Sequence, residues 1–320
     1  MPFPKRSILL ATFISVLSLS ISVRASAGEL YTFTSGEAGF KTHSVFYDDG
    51  QEVIVVDTQF LPGITEELIS AIKEETDSPI TKVIVTHPNP DKFNGLNLLK
   101  ERGVQSIASK ATANALPMVH EYKRNFWVNV AEAIDPESYP ELAEIDVTYE
   151  GKKVIKTQGG DEVTLIQLPG DAMSSDHTVV LFEDSGALFV GDLIHAGVHA
   201  WLEGPLHDGK PRPNVDQWIA TLKELDKIEA DRVLGGRGEW APIEKAIRDQ
   251  VHYLEKVQSI VENYVNERPN LARELQNATK AQEHFQSVTQ HISAAFPDYD
   301  LPSMVRYSVY AMIQKEAEAL

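Results

Sequence analysis

Residues 87–95 hold the densest set of groups in the chain that could do chemistry. His87, Asn89, Asp91 and Lys92 fall within six positions, and Gly95 closes the run. The apolar stretch at 82–86 reads as a buried strand ending at His87, so the loop after it directs several side chains inward together. Imidazole and carboxylate are the ligands zinc takes where thiolate is absent, and the chain has no cysteine. Lys92 opposes that use, because an ammonium has no lone pair and repels a divalent ion. A further carboxylate, Asp192, closes the run Phe189-Val190-Gly191-Asp192, and Arg237 stands between two glycines. His195 and His199 have the four-residue spacing of one helix face, and with His207 they offer substitute ligands. Gly197 and Trp201 argue instead for a packed loop there. His177 begins a strand and reads as structural, while His120, His252, His284 and His291 have no partners at a recognisable spacing. No Gly-x-Ser-x-Gly elbow marks a serine nucleophile.

The spacing from His87 to Gly95 resembles the signature loop of the metallo-β-lactamase superfamily, His-x-His-x-Asp-His with a glycine three residues on. The first histidine and the aspartate remain as His87 and Asp91. Asn89 and Lys92 stand at the second and third histidine positions. In Gly170-Asp171-Ala172-Met173-Ser174-Ser175-Asp176-His177-Thr178, Met173 falls at the next ligand position, with Asp171 a small shift away. Asp192 resembles the aspartate that bridges two metals in many family hydrolases. Arg237 replaces the histidine of a Gly-His-Gly turn. The resemblance covers about residues 30–241. It implies an α/β (α+β) fold, a four-layer αββα metallo-β-lactamase sandwich with its site at one edge of the two sheets. The implied ligand pocket is His87, Asn89, Asp91, Lys92, Met173, Asp192 and Arg237.

The substitutions change the charge balance of that pocket. Two zinc ions would offset two aspartates and a hydroxide. Without them Asp91 and Asp192 face each other uncompensated, which raises one pKa or demands counter-ions. Lys92 and Arg237 are such counter-ions, and two carboxylates with two fixed cations sum to zero. One zinc position keeps only His87 of its three histidines; the other keeps Asp91 and loses two ligands to Lys92 and Arg237. A catalytic zinc takes about three protein ligands. The expectation is therefore no cofactor, and a pseudo-hydrolase that binds a small ligand with Lys92 and Arg237 facing an anionic group. The alternative is an active hydrolase of an ester, lactone, β-lactam or thioester. It would use one divalent ion (zinc, manganese or iron) on His87, Asp91 and Asp192, or Asp91, Lys92, Asp192 and Arg237 as catalytic groups without metal.

These residues need elements to position them. Strands are expected at 43–47, 52–56, 82–86, 104–108, 154–156, 163–168, 178–183, 187–190 and 232–234, with turns at Asp48-Asp49-Gly50 and Asp184-Ser185-Gly186. Helices are expected at 64–75, 92–102 and 215–228. Beyond Pro242 they follow at 243–267, 271–293 and 302–319. Residues 113–141 carry aromatics among charges without a clean period. They read either as a lid or substrate wall beside the site or as a helical pair whose rings pack down.

Composition bounds the rest. Lys5 and Arg6, the apolar stretch at 7–23 and Ala25-Ser26-Ala27 read as a secretory signal, removed before Gly28. The expected division is a signal at 1–27, the sandwich at 28–241 and a helical extension at 242–320. The expected location is the periplasm or the medium. Removal of Lys5, Arg6 and Arg24 would take the formal charge from −18 to −21. So acidic a surface repels phosphate backbones and excludes nucleic acid as a partner. No run after the signal is long and apolar enough to span a bilayer, and nothing fixes an oligomeric state.

Overall fold

The computed structural model describes residues 28–168 and 170–319; the expected signal at 1–27 lies outside them. Six strands form the first sheet in chain order: β1 (Glu29–Thr34), β2 (His43–Asp48), β3 (Val53–Val56), β4 (Ile80–Val85), β5 (Gln105–Ser109) and β6 (Val147–Tyr149). β1, β2 and β3 pair antiparallel, and β3 to β6 pair parallel. The chain then builds β7 (Lys152–Lys156), β8 (Glu162–Leu168), β9 (His177–Phe182) and β10 (Ala187–Phe189). Three two-residue strands follow, β11 (His195–Ala196), β12 (Leu206–His207) and β13 (Lys210–Pro211), before β14 (Arg232–Leu234) and β15 (Arg237–Gly238). The second sheet has the order β14-β10-β9-β8-β7, and β11 pairs β15.

The period of two along these strands makes the layers. Val45, Ile54, Val56 and Ile84 point between the sheets, against Val163, Leu165, Val180 and Phe182. Their neighbours Phe46, Val53, Val55, Val83 and Val85 point outward, under Leu68, Ile69 and Ile72 of α1 (Pro62–Glu75). On the far side, Val179, Leu181 and Leu188 meet Trp218, Leu222 and Leu225 of α5 (Val215–Leu225). The four layers are those the resemblance implies.

The expected helix at 92–102 is two short pieces, α2 (Pro90–Phe93) and α3 (Leu96–Lys100). The break at Gly95 has a packing cause. Its N–H donates to Thr58 Oγ1, and a Cβ there would overlap Thr58 and Thr65. α4 (Lys110–Asn125) starts at Ser109, whose hydroxyl accepts from Thr112 N, and runs into a π-helical turn at Phe126–Val130. The three-residue β6 was not expected.

The tail forms α6 (Ile243–Asn266), α7 (Leu271–Glu274), α8 (Ala278–Ala295), α9 (Pro302–Ser308) and α10 (Tyr310–Ala317). Tyr253, Leu254 and Val257 of α6 and Met304 and Val305 of α9 share one apolar cluster with Val179, Leu181 and Leu188 of the second sheet. Among the described residues, no helix is long and apolar enough to cross a membrane.

Candidate functional site

The parallel strands β3 and β4 end beside each other. Asp57 and His87 follow these ends, and the chain turns directly into α2, which carries Asp91 and Lys92. Across the gap, β10 ends in a 3-10 turn holding Asp192, and β15 begins with Arg237. Asp91, Lys92, Asp192 and Arg237 are all buried, none more than 6 % exposed. Lys92 Nζ lies 2.8 Å from Asp91 Oδ2 and 2.9 Å from Asp192 Oδ1. Arg237 forks over the same pair: Nη2 donates to Asp91 Oδ2 at 2.8 Å and Nη1 to Asp192 Oδ2 at 2.7 Å. Its Nε donates to Phe40 O and its Nη2 also to Thr42 Oγ1. Each carboxylate therefore touches both cations, and the quartet closes on itself with no net charge.

The chain approaches closely to allow this. A Cβ at Gly236 would overlap Asp192 Oδ1 and stand 2.9 Å from Lys92 Nζ. Burial alone would push the Asp91 carboxyl up, but Lys92 and Arg237 outweigh it and hold it down to about 2. Against the same burial, Arg237 and Lys92 hold Asp192 well below its usual range. Burial likewise opposes the charge on Lys92 and Arg237, and the two aspartates outweigh it and raise both. All four groups are charged across the neutral range.

His87 is completely buried, and burial pushes its imidazole well below the usual value. Its Nδ1 lies 2.9 Å from Thr86 Oγ1, whose hydroxyl is also 2.8 Å from Asp57 Oδ2. Its Nε2 has no hydrogen-bond partner among the described residues and lies 3.9 Å from Asp192 Oδ2. Asp57 is completely buried, accepts from Thr86 N, and is pushed up to about 7 by burial, with Lys92 pulling the other way. Asn89 and Met173, which the resemblance sets at two histidine positions, contact each other: Asn89 Nδ2 donates to Met173 Sδ at 3.2 Å.

The seven residues of the expected pocket thus gather at one sheet edge, but not all line open space. Asn89, Asp91, Asp192 and Arg237 line a cavity of about 30 Å³, room for a water or two. His87, Lys92 and Met173 are shut behind them, each at most 1 % exposed. The rest of the lining is Pro90, Lys123 and Met304 with the rings of Phe40, Phe60, Trp127 and Trp201, so the insertion and the tail both contribute to it. Trp127 of the π turn sits 5.3 Å from Phe40 and Phe60 and 6.0 Å from Trp201, and Met304 of α9 closes the wall. Residues 113–141 therefore form one helix and a π turn whose rings pack down, and the same packing walls the site.

Nothing in this arrangement fits a zinc pair. A divalent ion between Asp91 and Asp192 would stand against Lys92 Nζ, which already bridges both, and against Arg237. Among the described residues, no group of three or more His, Asp or Glu side chains could hold a metal ion. His195 does not join the quartet as a ligand; both its ring nitrogens are buried without hydrogen-bond partners among the described residues, and burial pushes it down to about 4. His199 bonds Tyr253 and His207 bonds Asp171.

Several supporting groups lie outside the expected set of site residues. Thr42, Thr86 and Asp57 tie the loops together. Lys123 and Glu203 form a second buried ion pair, 80 positions apart, with Lys123 over the Trp201 ring and on the lining of the same small cavity. Asp57 had a visible signal, a charged residue directly after the apolar run Val53 to Val56. The Lys123–Glu203 pair had none, since neither residue belongs to a motif.

Comparison with known proteins bears on the family and the fold. The sequence profile of the metallo-beta-lactamase superfamily matches residues 38–237. Two curated relatives, each described as a metallo-beta-lactamase type 2, align over 100 residues. The one from Bacillus cereus is 29 % identical and the one from Bacillus sp. (strain 170) 28 % identical. Those alignments take in 31 % of this chain and 37 % of each relative. Among solved structures, a metallo-beta-lactamase from Pontibacter korlensis superposes with a TM-score of 0.54 at 20 % identity, over 72 % of this chain and 95 % of that one. The mono-zinc form of FIM-1 from Pseudomonas aeruginosa gives 0.51 at 17 % identity, over 71 % and 89 %. At those identities the likeness is one of fold. The profile spans more than half of the sequence and includes the quartet's loops, so this chain belongs to the metallo-β-lactamase superfamily.

Proposed function

We propose that this chain is a pseudo-hydrolase of the superfamily, a ligand-binding protein that works without zinc chemistry. The observation that carries this reading is Lys92 Nζ, 2.8 and 2.9 Å from the two aspartates a metal pair would share. A cation covalently attached to the chain cannot be displaced as water can. Arg237 adds a second, fork-shaped pair on the same carboxylates. Four of the five guanidinium N–H groups are committed to Phe40, Thr42, Asp91 and Asp192, so the quartet is a structural core of the old site.

The test is hydrolysis of a chromogenic panel of β-lactams, esters, lactones and thioesters, with and without chelator. The reading expects no turnover that chelator abolishes. Chelator-sensitive turnover restored by zinc would overturn it. The run at 5–27 supports a further part of the proposal, that the protein is exported to the periplasm or medium. N-terminal sequencing of protein recovered from its producing cells should then begin at Gly28.

A further inference from the structure

A second, larger cavity of about 470 Å³ lies beside the aromatic wall of the site, between the π turn and the tail helices α8, α9 and α10. That volume is in the range of small-molecule pockets, roughly 300–1,000 Å³. Tyr122, Phe126, Phe285, Tyr307 and Tyr310 line it, and among the described residues Arg306 is the only charged one in its lining.

The rings are held in place. The hydroxyls of Tyr122 and Tyr310 are within hydrogen-bond reach of Glu203 Oε1 and 2.6 Å from each other. Glu203 is itself buried and paired with Lys123. Phe126 and Tyr307 pack on Trp127 at 5.0 and 5.4 Å, and Phe285 stands 6.1 Å from Tyr310. The π turn at Phe126–Val130, a rare backbone form that recurs at functional sites, places Phe126 and Val130 on the lining. Val130 is 65 % exposed, one of few large apolar side chains left in water.

Arg306 supplies the polar element. Its guanidinium lies 5.8 Å from the Tyr307 ring centre, and it has no ion pair or hydrogen bond among the described residues. Rings whose positions are fixed, with one uncommitted guanidinium at the edge, suit a flat apolar body carrying a planar anion. We propose that this cavity binds an aromatic carboxylate, its ring among the five side chains and its carboxylate on Arg306. The site stands on its own observations and does not depend on whether the quartet takes up metal.

The probe is 1-naphthoate, with 1-naphthamide as its uncharged counterpart, titrated against the folded protein by calorimetry and by Trp127-region fluorescence. The expected result is saturable binding of naphthoate that Arg306→Gln weakens about tenfold, as loss of a charge-assisted pair implies. Val130→Glu should weaken it similarly by placing a like charge at the rim. Naphthamide should bind more weakly and be indifferent to Arg306→Gln. Both positions are exposed, so neither variant removes core packing. No saturable binding of naphthoate up to about 1 mM, or equal binding by the wild type and Arg306→Gln, would overturn the proposal. Chelator-sensitive hydrolysis by the same preparation would bear on the quartet alone.

Discussion

Removing one cation from the quartet is the most informative perturbation. Lys92→Met keeps most of the side chain's length and apolar stem but deletes the charge that bridges Asp91 and Asp192. Two buried carboxylates would then share Arg237 alone, leaving one uncompensated negative charge in a region at most 6 % exposed. Breaking a buried ion pair in this way costs about 3–5 kcal/mol. For a chain of this size that corresponds to a fall in Tm of roughly 6–20 °C. Asp91→Asn in the same background removes the excess charge and leaves the Asp192–Arg237 pair intact. The double variant should therefore recover a coupling energy of about 1–3 kcal/mol relative to the sum of the singles. Urea unfolding at pH 7 of the wild type, both singles and the double gives the full cycle. If Lys92→Met lies within about 0.5 kcal/mol of the wild type, or if the two effects simply add, the quartet is not the charge-balanced unit described.

Further expectations can be checked alongside it. Burial pushes His43, His177, His195 and His199 down to about 4 and His87 well below its usual value. Unfolded imidazoles bind protons near pH 6.5, so unfolding takes up protons between about pH 6.5 and 4, and stability falls as pH falls through that window. Asp57, pushed up to about 7 by burial, works in the opposite direction by one proton. The net slope near pH 5 should be on the order of 3–5 kcal/mol per pH unit, and a flat profile in urea melts from pH 7 to 5 would contradict it. Gly236→Ala puts a methyl group into Asp192 Oδ1 and should cost several kcal/mol, roughly 3 or more, or prevent folding; thermal melts decide. Restoring histidine at positions 89, 92, 173 and 237 together should create zinc affinity, read as bound zinc by native mass spectrometry. The fourfold variant staying metal-free while folded would show that more than these four residues was altered.

Much of this site was legible in the sequence because its logic is a charge count. His87, Asp91 and Asp192 survive in recognisable loops, and Lys92 and Arg237 fall at positions where only their sign needed to be read. The strands were legible for a similar reason, since runs such as Val53 to Val56 and His177 to Phe182 are short, β-rich and buried through both faces. What stayed hidden depends on three-dimensional closeness. Nothing in the spacing of Trp127 and Met304 says that they would wall the same cavity, 177 positions apart. The π turn breaks the 3.6-residue period that would have located Phe126, and the tail helices carry mixed charges that conceal which face packs. The commitment of Arg237 to Phe40, Thr42, Asp91 and Asp192 is also a tertiary fact. It changes the role of that residue from a hand for an anion to a brace.

The most direct test is to offer the native protein zinc. Untagged protein should be dialysed against excess zinc, exchanged into metal-free buffer and analysed for metal, with a zinc-replete crystal structure in parallel. If Lys92 and Arg237 have taken over the positive charge of the old centre, zinc will wash out and the Lys92 ammonium will still bridge both aspartates. Retention of one or two zinc ions per chain, with Lys92 turned aside and His87, Asp91 and Asp192 on the metal, would contradict that replacement.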